Sequence, residues 1–406
     1  MTPSWFRPRG YRHLDSAIGP SYANKVSASG FAAGHSWSPL ISYVKREKRY
    51  KPLLKRTIFK DRDIMYASHR DAAVFACYAF ELTRKLDEQY AAAGLGDSVI
   101  AYRSLGKSNY DFTGAALDFA VAHAPCRVMC FDVTGFFDNL DHQILKRRLA
   151  SVVGVDQKLS SDWFAVFRAV TRFNQIPLAT LRGNAAFKER FETRTREPIA
   201  TMAEVVKAGI KPLRNPNKYG IPQGTPISAV LANLYMWPVD VAMKTACDQL
   251  GALYQRYSDD ILVICKPDDE PVLEALLKSE IGKLKLTVKD EKTEKSLFDP
   301  ADPQTFQYLG FNVSPRGAVI RPGSLGRQWR KARRSLRRTE EAGRMAIAAG
   351  KADKVYTKKL RRRFSPVGLR NFSSYGRRAA KSLKSKAIIR QLRRLERMVD
   401  ETIKAM

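Results

Sequence analysis

Two adjacent carboxylates in the second half of the chain are the first residues whose types could do chemistry. Asp259 and Asp260 belong to the segment Tyr257-Ser258-Asp259-Asp260, which lies between the apolar runs 253–257 and 261–264. Neighbouring carboxylates at a hairpin tip repel each other, so keeping both ionised costs free energy unless cations are bound between them. The segment therefore indicates a divalent metal ion, although aspartate also favours turns because it hydrogen-bonds locally.

Two further segments carry residues of the same kind. Asp132 directly follows the apolar segment 128–131, and an acid at the end of a buried strand needs a metal ion or a basic partner. Gly220-Ile221-Pro222-Gln223-Gly224 forms a glycine turn before an apolar stretch, and Gly224 allows a ligand or template to approach the backbone closely. Taken singly, each segment is also explained as a strand-end turn or as the start of a helix.

Hydrophobic periodicity predicts the elements that must position these residues. Helices are expected at 75–90, 227–235 and 271–286, and strands at 128–131, 253–257, 261–264 and 306–313. Glycine and proline crowd together between Gly310 and Gly323, which predicts a domain boundary near residue 320. The pattern is α+β, without an internal repeat.

Charge is concentrated behind that boundary. The 406 residues carry a net charge of +31, and residues 321–406 alone hold 27 Lys and Arg against 6 Asp and Glu. Apolar residues recur at helical spacing there, at Trp329, Ala332 and Leu336 and again from Ile388 to Ile403, with arginines beside them. These amphipathic basic helices favour nucleic acid as a partner. A protein that merely compacts DNA would explain the charge but not the carboxylate motifs.

Other classes of protein fit the sequence poorly. The five cysteines include no CxxC pair, which argues against a disulfide framework or a zinc knuckle and favours a reducing, intracellular setting. The first residues lack the apolar segment of a signal peptide, so export is not expected. The longest uncharged run, 219–239, contains three prolines and polar residues, which predicts a buried element at a site rather than a membrane helix.

In chain order, Asp132, the Gly220–Gly224 turn and the Tyr257–Asp260 segment together closely resemble the palm of a reverse transcriptase. The resemblance covers roughly residues 55–315. It implies an α+β right-hand polymerase with fingers, a palm built on an antiparallel sheet, and a basic helical thumb. The corresponding domains are an N-terminal region and fingers at 1–128, a palm at 129–318 with an insertion at about 142–219, and the thumb at 319–406.

The resemblance also implies roles for individual residues. The catalytic carboxylates are Asp132, Asp259 and Asp260, which with Val133 would hold two Mg²⁺ ions, Mn²⁺ being possible. Lys292 is the implied general acid for pyrophosphate, with Lys289 and Lys295 as alternatives. The implied contacts to the incoming nucleotide and template are Lys60, Arg62, Phe137, Gln223, Gly224 and Tyr257. A solvated charged turn is the other interpretation of residues 60–64.

Phe137 bears on sugar selection. It lies five residues after Asp132, at the position where reverse transcriptases carry an aromatic steric gate and related RNA-dependent RNA polymerases an aspartate that accepts the 2′-hydroxyl. Phe137 therefore implies a preference for deoxynucleotides. Asp138 follows directly, so a shift of register by one residue stays open.

The segments 66–71, 99–103 and 106–109 look similar to bacterial defence-associated reverse transcriptases of the unknown-group and abortive-infection lineage. That resemblance implies a cytoplasmic bacterial enzyme acting in antiphage defence, with a dedicated structured noncoding RNA as template, dNTPs as substrates and DNA as product. No membrane partner is expected, and the oligomeric state stays open. The alternatives are an untemplated or protein-primed DNA polymerase and a nonenzymatic RNA-binding module.

Overall fold

The computed structural model describes residues 1–51, 55–193 and 195–406, and at residues 49–51 and 292 it describes only the backbone. Within these residues the chain forms eleven strands and fourteen α-helices, so the expected α+β class is confirmed. The strands are β1 (Leu40–Lys51), β2 (Arg56–Tyr66), β3 (Cys126–Asp132), β4 (Asn174–Pro177), β5 (Leu213–Arg214), β6 (Leu253–Tyr257), β7 (Asp260–Cys265), β8 (Glu294–Phe298), β9 (Phe306–Tyr308), β10 (Phe311–Ser314) and β11 (Gly317–Ile320). The helices are α1 (Pro20–Val26), α2 (His69–Ala92), α3 (Asn109–Ala122), α4 (His142–Val153), α5 (Ser161–Thr171), α6 (Leu178–Gly183), α7 (Lys188–Glu192), α8 (Met202–Lys207), α9 (Ser228–Gln249), α10 (Glu270–Lys283), α11 (Pro322–Ala348), α12 (Lys358–Phe364), α13 (Phe372–Ser382) and α14 (Lys386–Lys404).

A four-stranded antiparallel sheet, which we call the palm sheet, has the strand order β6-β7-β3-β8. Successive side chains of a strand point to opposite faces, and here both faces are buried. Met129 and Phe131 of β3 pack with residues of α2, α4, α9 and α10. Val128 packs on the other face with residues of α3, the strands β9–β11 and the C-terminal helices. Burial on both faces explains why 128–131 is a continuous apolar run.

A second sheet, the fingers sheet, has the order β2-β1-β4-β5. Its main part is the long antiparallel hairpin of β1 and β2, and β4 pairs in parallel with the start of β1. Because β4 and β5 come from residues 142–219, the insertion expected between the palm motifs contributes strands to the fingers sheet. The sequence analysis did not predict this contribution to the sheet.

Helix α9 is longer than predicted. The expected helix at 227–235 begins at Ser228 and continues to Gln249, through Pro238. Proline normally ends a helix because it lacks the N–H group and clashes with the preceding turn. Here Val239, Met243 and Cys247 are fully buried beyond it, so tertiary packing outweighs the break. The uncharged run is thus a buried element, as predicted, and among the described residues no helix has both the length and the apolar character needed to span a membrane.

The expected strand at 306–313 is instead two strands. Leu309 and Gly310 both have positive φ angles and form a two-residue turn, so that Phe311 pairs with Tyr308. Beyond β11, the helices α11 to α14 form the region that we call the thumb. Its predicted apolar stripes are buried: Ala332 and Leu336 pack against residues of α12 and α14.

Candidate functional site

The three aspartates predicted to act together lie at the same end of two neighbouring palm strands. Asp132 is the last residue of β3, and it pairs directly with Asp260, the first residue of β7. Directly opposite residues of an antiparallel pair share a face, with Cβ atoms about 4.5–5.5 Å apart. Asp259 precedes Asp260 in the turn, and its carbonyl accepts a hydrogen bond from the Val133 N–H at 3.1 Å. Tyr257, the last residue of β6, closes the same hairpin opposite Asp260.

The charges at this end of the sheet affect one another. Desolvation by the surrounding protein, followed by the negative charges of Asp259 and Asp132, raises the pKa of Asp260 to about 6. Arg321, at the start of the thumb, and Lys60, on β2 of the fingers sheet, act in the opposite direction and lower that pKa. The carboxylates therefore lie where palm, fingers and thumb meet.

The donor set fits a divalent cation. Carboxylate and carbonyl oxygens are the ligands that Mg²⁺ prefers, and polymerase-type sites hold it through one or two carboxylates plus substrate phosphates rather than through an all-protein cage. Among the described residues, no three His, Cys, Asp or Glu side chains surround a single ion position. Asp132, Asp259 and the carbonyl of Val133 could supply protein ligands, with Asp260 as a neighbouring charge.

A buried ion pair that the sequence analysis missed fixes the turn at Ser258–Asp259. Arg256 of β6 donates two hydrogen bonds to the Asp240 carboxylate of α9, at 2.6 and 2.7 Å, and both side chains are fully buried. Another N–H of the same guanidinium donates to the carbonyl of Ser258 at 3.0 Å. The signal was present in the sequence, since Arg256 and Asp240 are single opposite charges in otherwise apolar segments.

Residues 98–102 also support this turn. They run parallel to β6 and pair with it at Arg256. The Tyr102 hydroxyl donates a hydrogen bond to the Ser258 Oγ at 3.1 Å. Both Tyr102 and Ser258 have φ angles near +60°, in the left-handed region that non-glycine residues rarely adopt. Asn233 of α9 connects these two sets of contacts. Its amide nitrogen donates a hydrogen bond to the Ala101 carbonyl, and its amide oxygen accepts one from Arg256.

The glycine turn packs against the fingers sheet. The N–H of Met65 on β2 donates to the Gln223 carbonyl at 2.9 Å. Gly224 has φ +124°, and a Cβ atom at this position would lie 2.6 Å from the Met65 carbonyl oxygen. Only glycine therefore permits this contact, which leaves Gln223 half-buried and Gly224 exposed beside the hairpin.

Phe137 lies against the same turn. It occupies a single 3₁₀ turn at Phe136–Asp138, and its carbonyl accepts from the Ile221 N–H at 2.9 Å. Gly220 has φ +82°, and a Cβ atom there would meet the Asp138 carbonyl oxygen at 2.8 Å. The structure thus brings Phe137 and the Gly220–Gly224 turn together, with the Phe137 ring half-buried.

The candidate nucleotide-binding cations of the fingers lie within a strand. Lys60 and Arg62 are both part of β2, so the alternative of a solvated charged turn at 60–64 is wrong. Lys60 is half-buried, and its positive charge lowers the pKa of Asp260. Arg62 lies 3.9 Å from Glu47 on the neighbouring strand.

Of the three lysines considered as the general acid for pyrophosphate, the structure separates one from the carboxylate cluster. Lys295 forms ion pairs with Glu270 and Glu274 at 3.0 and 2.6 Å, which removes it from the carboxylate cluster. Lys289 is exposed, and its backbone N–H lies 3.4 Å from the Asp132 carbonyl. Lys292 ends the 3₁₀ turn at Asp290–Lys292, and its side chain lies outside the described residues.

Comparisons with known proteins agree with this geometry. A family model described as "Reverse transcriptase (RNA-dependent DNA polymerase)" matches residues 114–313, the region that contains all three aspartates and the glycine turn. No curated protein matches the sequence.

Three solved structures are among those to which this chain is similar. Telomerase from Candida albicans, in complex with a fragment of telomeric RNA, shares 12% identity over 95% of this chain and 66% of its own, with a TM-score of 0.47. Apo telomerase from Candida tropicalis, truncated from its C-terminal domain, shares 13% identity over 73% of this chain and 59% of its own, with a TM-score of 0.44. The BmCPV RNA-dependent RNA polymerase shares 11% identity over 70% of this chain and 22% of its own, with a TM-score of 0.42.

The chain thus spans no more than two thirds of the length of these proteins. The family match and the palm topology together confirm the expected polymerase fold. Residues 114–313 of this chain are thus similar to the reverse transcriptase family.

Proposed function

We propose that the protein is an RNA-directed DNA polymerase that adds deoxynucleotides to a primer at the carboxylate cluster. The observation that carries the proposal is the placement of Asp132 directly opposite Asp260, with Asp259 beside them, at one end of the palm sheet. Desolvation by burial, followed by the negative charges of Asp259 and Asp132, raises the pKa of Asp260, and such a cluster of acids costs stability that a functional role would explain. A nonenzymatic RNA-binding module gives no reason to keep them.

In this reaction the primer 3′-hydroxyl oxygen attacks the α-phosphorus of a dNTP, and the bond to pyrophosphate breaks. Two divalent ions, Mg²⁺ or Mn²⁺, bound by Asp132, Asp259 and the Val133 carbonyl would lower the pKa of the 3′-hydroxyl and neutralise the leaving group. The protein's own contribution is to hold these acids in register and to supply cations. Lys60 and Arg62 bind the triphosphate, and Lys292 or Lys289 donates the proton to pyrophosphate.

The positions of the remaining residues support a role in nucleotide selection. Gln223 and Gly224 present their backbone beside the fingers hairpin, where the nascent base pair would lie. Phe137 packs against that turn and would exclude a 2′-hydroxyl by steric contact. Tyr257, which pairs with Asp260, would contact the incoming nucleotide or the template. Deoxynucleotides are therefore the proposed substrates.

The proposed template is a dedicated structured noncoding RNA, and the proposed setting is antiphage defence in the bacterial cytoplasm. The support is the resemblance of segments 66–71, 99–103 and 106–109 to defence-associated reverse transcriptases, together with the basic thumb. In the thumb, 27 Lys and Arg among 86 residues provide phosphate contacts without base specificity, so the template would be selected by shape.

The function can be tested by supplying the purified protein with Mg²⁺ and labelled dNTPs, without added template, and sequencing the bound RNA and any DNA made. DNA complementary to one co-purified RNA is expected. Homopolymeric or protein-linked DNA would instead establish untemplated or protein-primed synthesis. Absence of DNA both here and on a supplied primed RNA template would overturn the proposal in favour of an RNA-binding role.

A further inference from the structure

A cavity of about 330 Å³ lies in the fingers, away from the carboxylate cluster. It is enclosed by α2, α5, the beginning of β4 and the segment 33–40 that leads into β1. Its volume falls within the range of about 300–1,000 Å³ that is typical of small-molecule sites. None of the described residues assigned above to nucleotide addition lines it.

One wall of the cavity is aromatic. The Trp37 indole packs against Phe75 with ring centroids 4.9 Å apart and an interplanar angle of 31°. The His35 ring stands edge-on to the same indole at 4.8 Å, and Phe173 completes the aromatic lining. Flat aromatic surfaces of this kind bind nucleobases by stacking, without requiring a particular base.

The only carboxylate among the described lining residues is already engaged. The Asp71 carboxylate lies 2.7 Å from the His35 Nε2, within hydrogen-bond distance, and its second oxygen accepts from the Ser38 N–H at 3.0 Å. Both side chains are almost completely buried, at 2% and 7% exposure. Because these partners occupy the two oxygens, the carboxylate is held in place at the floor of the cavity.

The rim carries two cations. Arg168 and Arg172 are exposed and lie four residues apart at the C-terminal end of α5. Within the described part of the chain, no hydrogen bond or ion pair is formed by either guanidinium. The helix dipole favours positive charge at this end, but two like charges at this spacing repel each other. A phosphate, which arginine recognises through paired N–H donors, would relieve that repulsion.

We propose that this cavity binds a single nucleotide, with the base against Trp37 and the phosphate on Arg168 and Arg172. The nucleotide is either free in solution or one unstacked nucleotide of an RNA strand, and both sources offer the same base and phosphate. This site differs from the dNTP site of the proposed polymerase, and it requires no metal ion.

Binding is measured by equilibrium dialysis of the full chain with each of the four ribonucleoside 5′-monophosphates, in EDTA so that metal-dependent binding at the aspartates is excluded. The test variant carries Arg168→Gln and Arg172→Gln. The control carries Lys207→Gln and Lys211→Gln, which removes two exposed charges at the same spacing, at the end of α8 and in the loop that follows it. All four substituted side chains are exposed, so both variants should keep the melting temperature of the wild type.

At least one monophosphate should bind the wild type and the control alike, and its affinity should fall about tenfold or more in the Arg168/Arg172 variant, since charged hydrogen bonds to phosphate are lost. The corresponding nucleoside should bind the wild type as weakly as the monophosphate binds that variant. Failure of all four monophosphates to bind, or equal binding by the two variants, would overturn the proposal.

The source of the nucleotide is then identified by competition. A short single-stranded RNA in excess should displace the bound monophosphate if the pocket takes a nucleotide from a strand, and should leave it bound if the pocket takes free nucleotides. Either result supports a nucleotide pocket. None of these measurements depends on polymerase activity, so the pocket and the proposed function can fail independently.

Discussion

The palm and the thumb use charge in opposite ways. In the palm, Arg256 and Asp240 form a fully buried pair in which each charge is held by the other. In the thumb most charges are exposed, have the same sign and stand on amphipathic helices such as α11 and α14. Ion pairs there, such as Arg344 with Glu340, lie largely in solvent.

This difference predicts where a single substitution has a large effect. A buried charge loses its hydration, so its partner must be correctly placed, and removing that partner is costly. An exposed charge keeps its hydration, so each one contributes little and the effect comes from the sum. We therefore expect concentrated effects of substitution in the palm and distributed effects in the thumb.

The largest expected effect concerns the thumb as a whole. If it contacts about 6–10 phosphates, RNA affinity should fall by roughly 10³–10⁵ between 50 and 200 mM salt. Filter binding of a labelled structured RNA across this range measures the slope. Any single Arg→Gln substitution on α11 should lower the slope by only about one unit. An RNA affinity that does not change with salt would contradict the expectation that the exposed thumb charges bind RNA through their sum.

The next effect concerns the buried palm pair. Arg256→Met leaves Asp240 buried without its partner and should lower the free energy of unfolding by about 3–5 kcal/mol. Removal of the exposed thumb pair by Arg344→Gln should lower it by less than about 1 kcal/mol. Urea denaturation of both variants gives the two values. Similar decreases in the free energy of unfolding of the two variants would contradict the expected difference between buried palm charges and exposed thumb charges.

Much of this architecture could be predicted from the sequence because it follows from local patterns. The apolar run of β3, the hairpin around Asp259 and the stripes of α14 all follow the periodicity of their elements. The support of the turn at Ser258–Asp259 could not be predicted, because the pairing of Arg256 with Asp240 joins a strand to a helix and the contact from Tyr102 spans 156 residues of the chain. The fingers strand β4 was missed for the same reason, since it is four residues long and pairs with β1 across more than a hundred residues.

A further prediction compares two neighbouring palm residues, Phe137 and Asp138, in the selection of the sugar. Phe137→Val opens space beside the Gly220–Gly224 turn and should lower discrimination against ribonucleotides by up to about 10²-fold. Competing dNTP and NTP incorporation on a primed RNA template measures this ratio. Asp138→Ala serves as the neighbouring control and tests the register. If Asp138→Ala changes the ratio and Phe137→Val does not, the assignment must move by one residue.

A smaller effect is expected from the contact between Tyr102 and Ser258. Tyr102→Phe removes one hydrogen bond to the turn at Ser258–Asp259, worth about 0.5–1.5 kcal/mol, so kcat should fall by up to about tenfold. Tyr102 is a positioning residue, so KM for dNTPs and the melting temperature should change little. Tyr356→Phe, which removes the hydrogen bond of another exposed tyrosine to Asp353 between α11 and α12, is the matched control. Equal effects of both variants on kcat would remove Tyr102 from the support of the turn.

The most direct test of the carboxylate cluster is Asp132→Asn, which removes one negative charge while keeping the size of the side chain. Single-nucleotide addition to a primed RNA template in Mg²⁺ and the affinity for the same RNA are measured together, with the exposed Asp268→Asn as control. We predict a loss of about 10³-fold or more in the rate of addition for Asp132→Asn, with RNA affinity unchanged and Asp268→Asn fully active. Retained addition by Asp132→Asn, or loss of RNA binding in parallel with activity, would contradict a catalytic role for these aspartates.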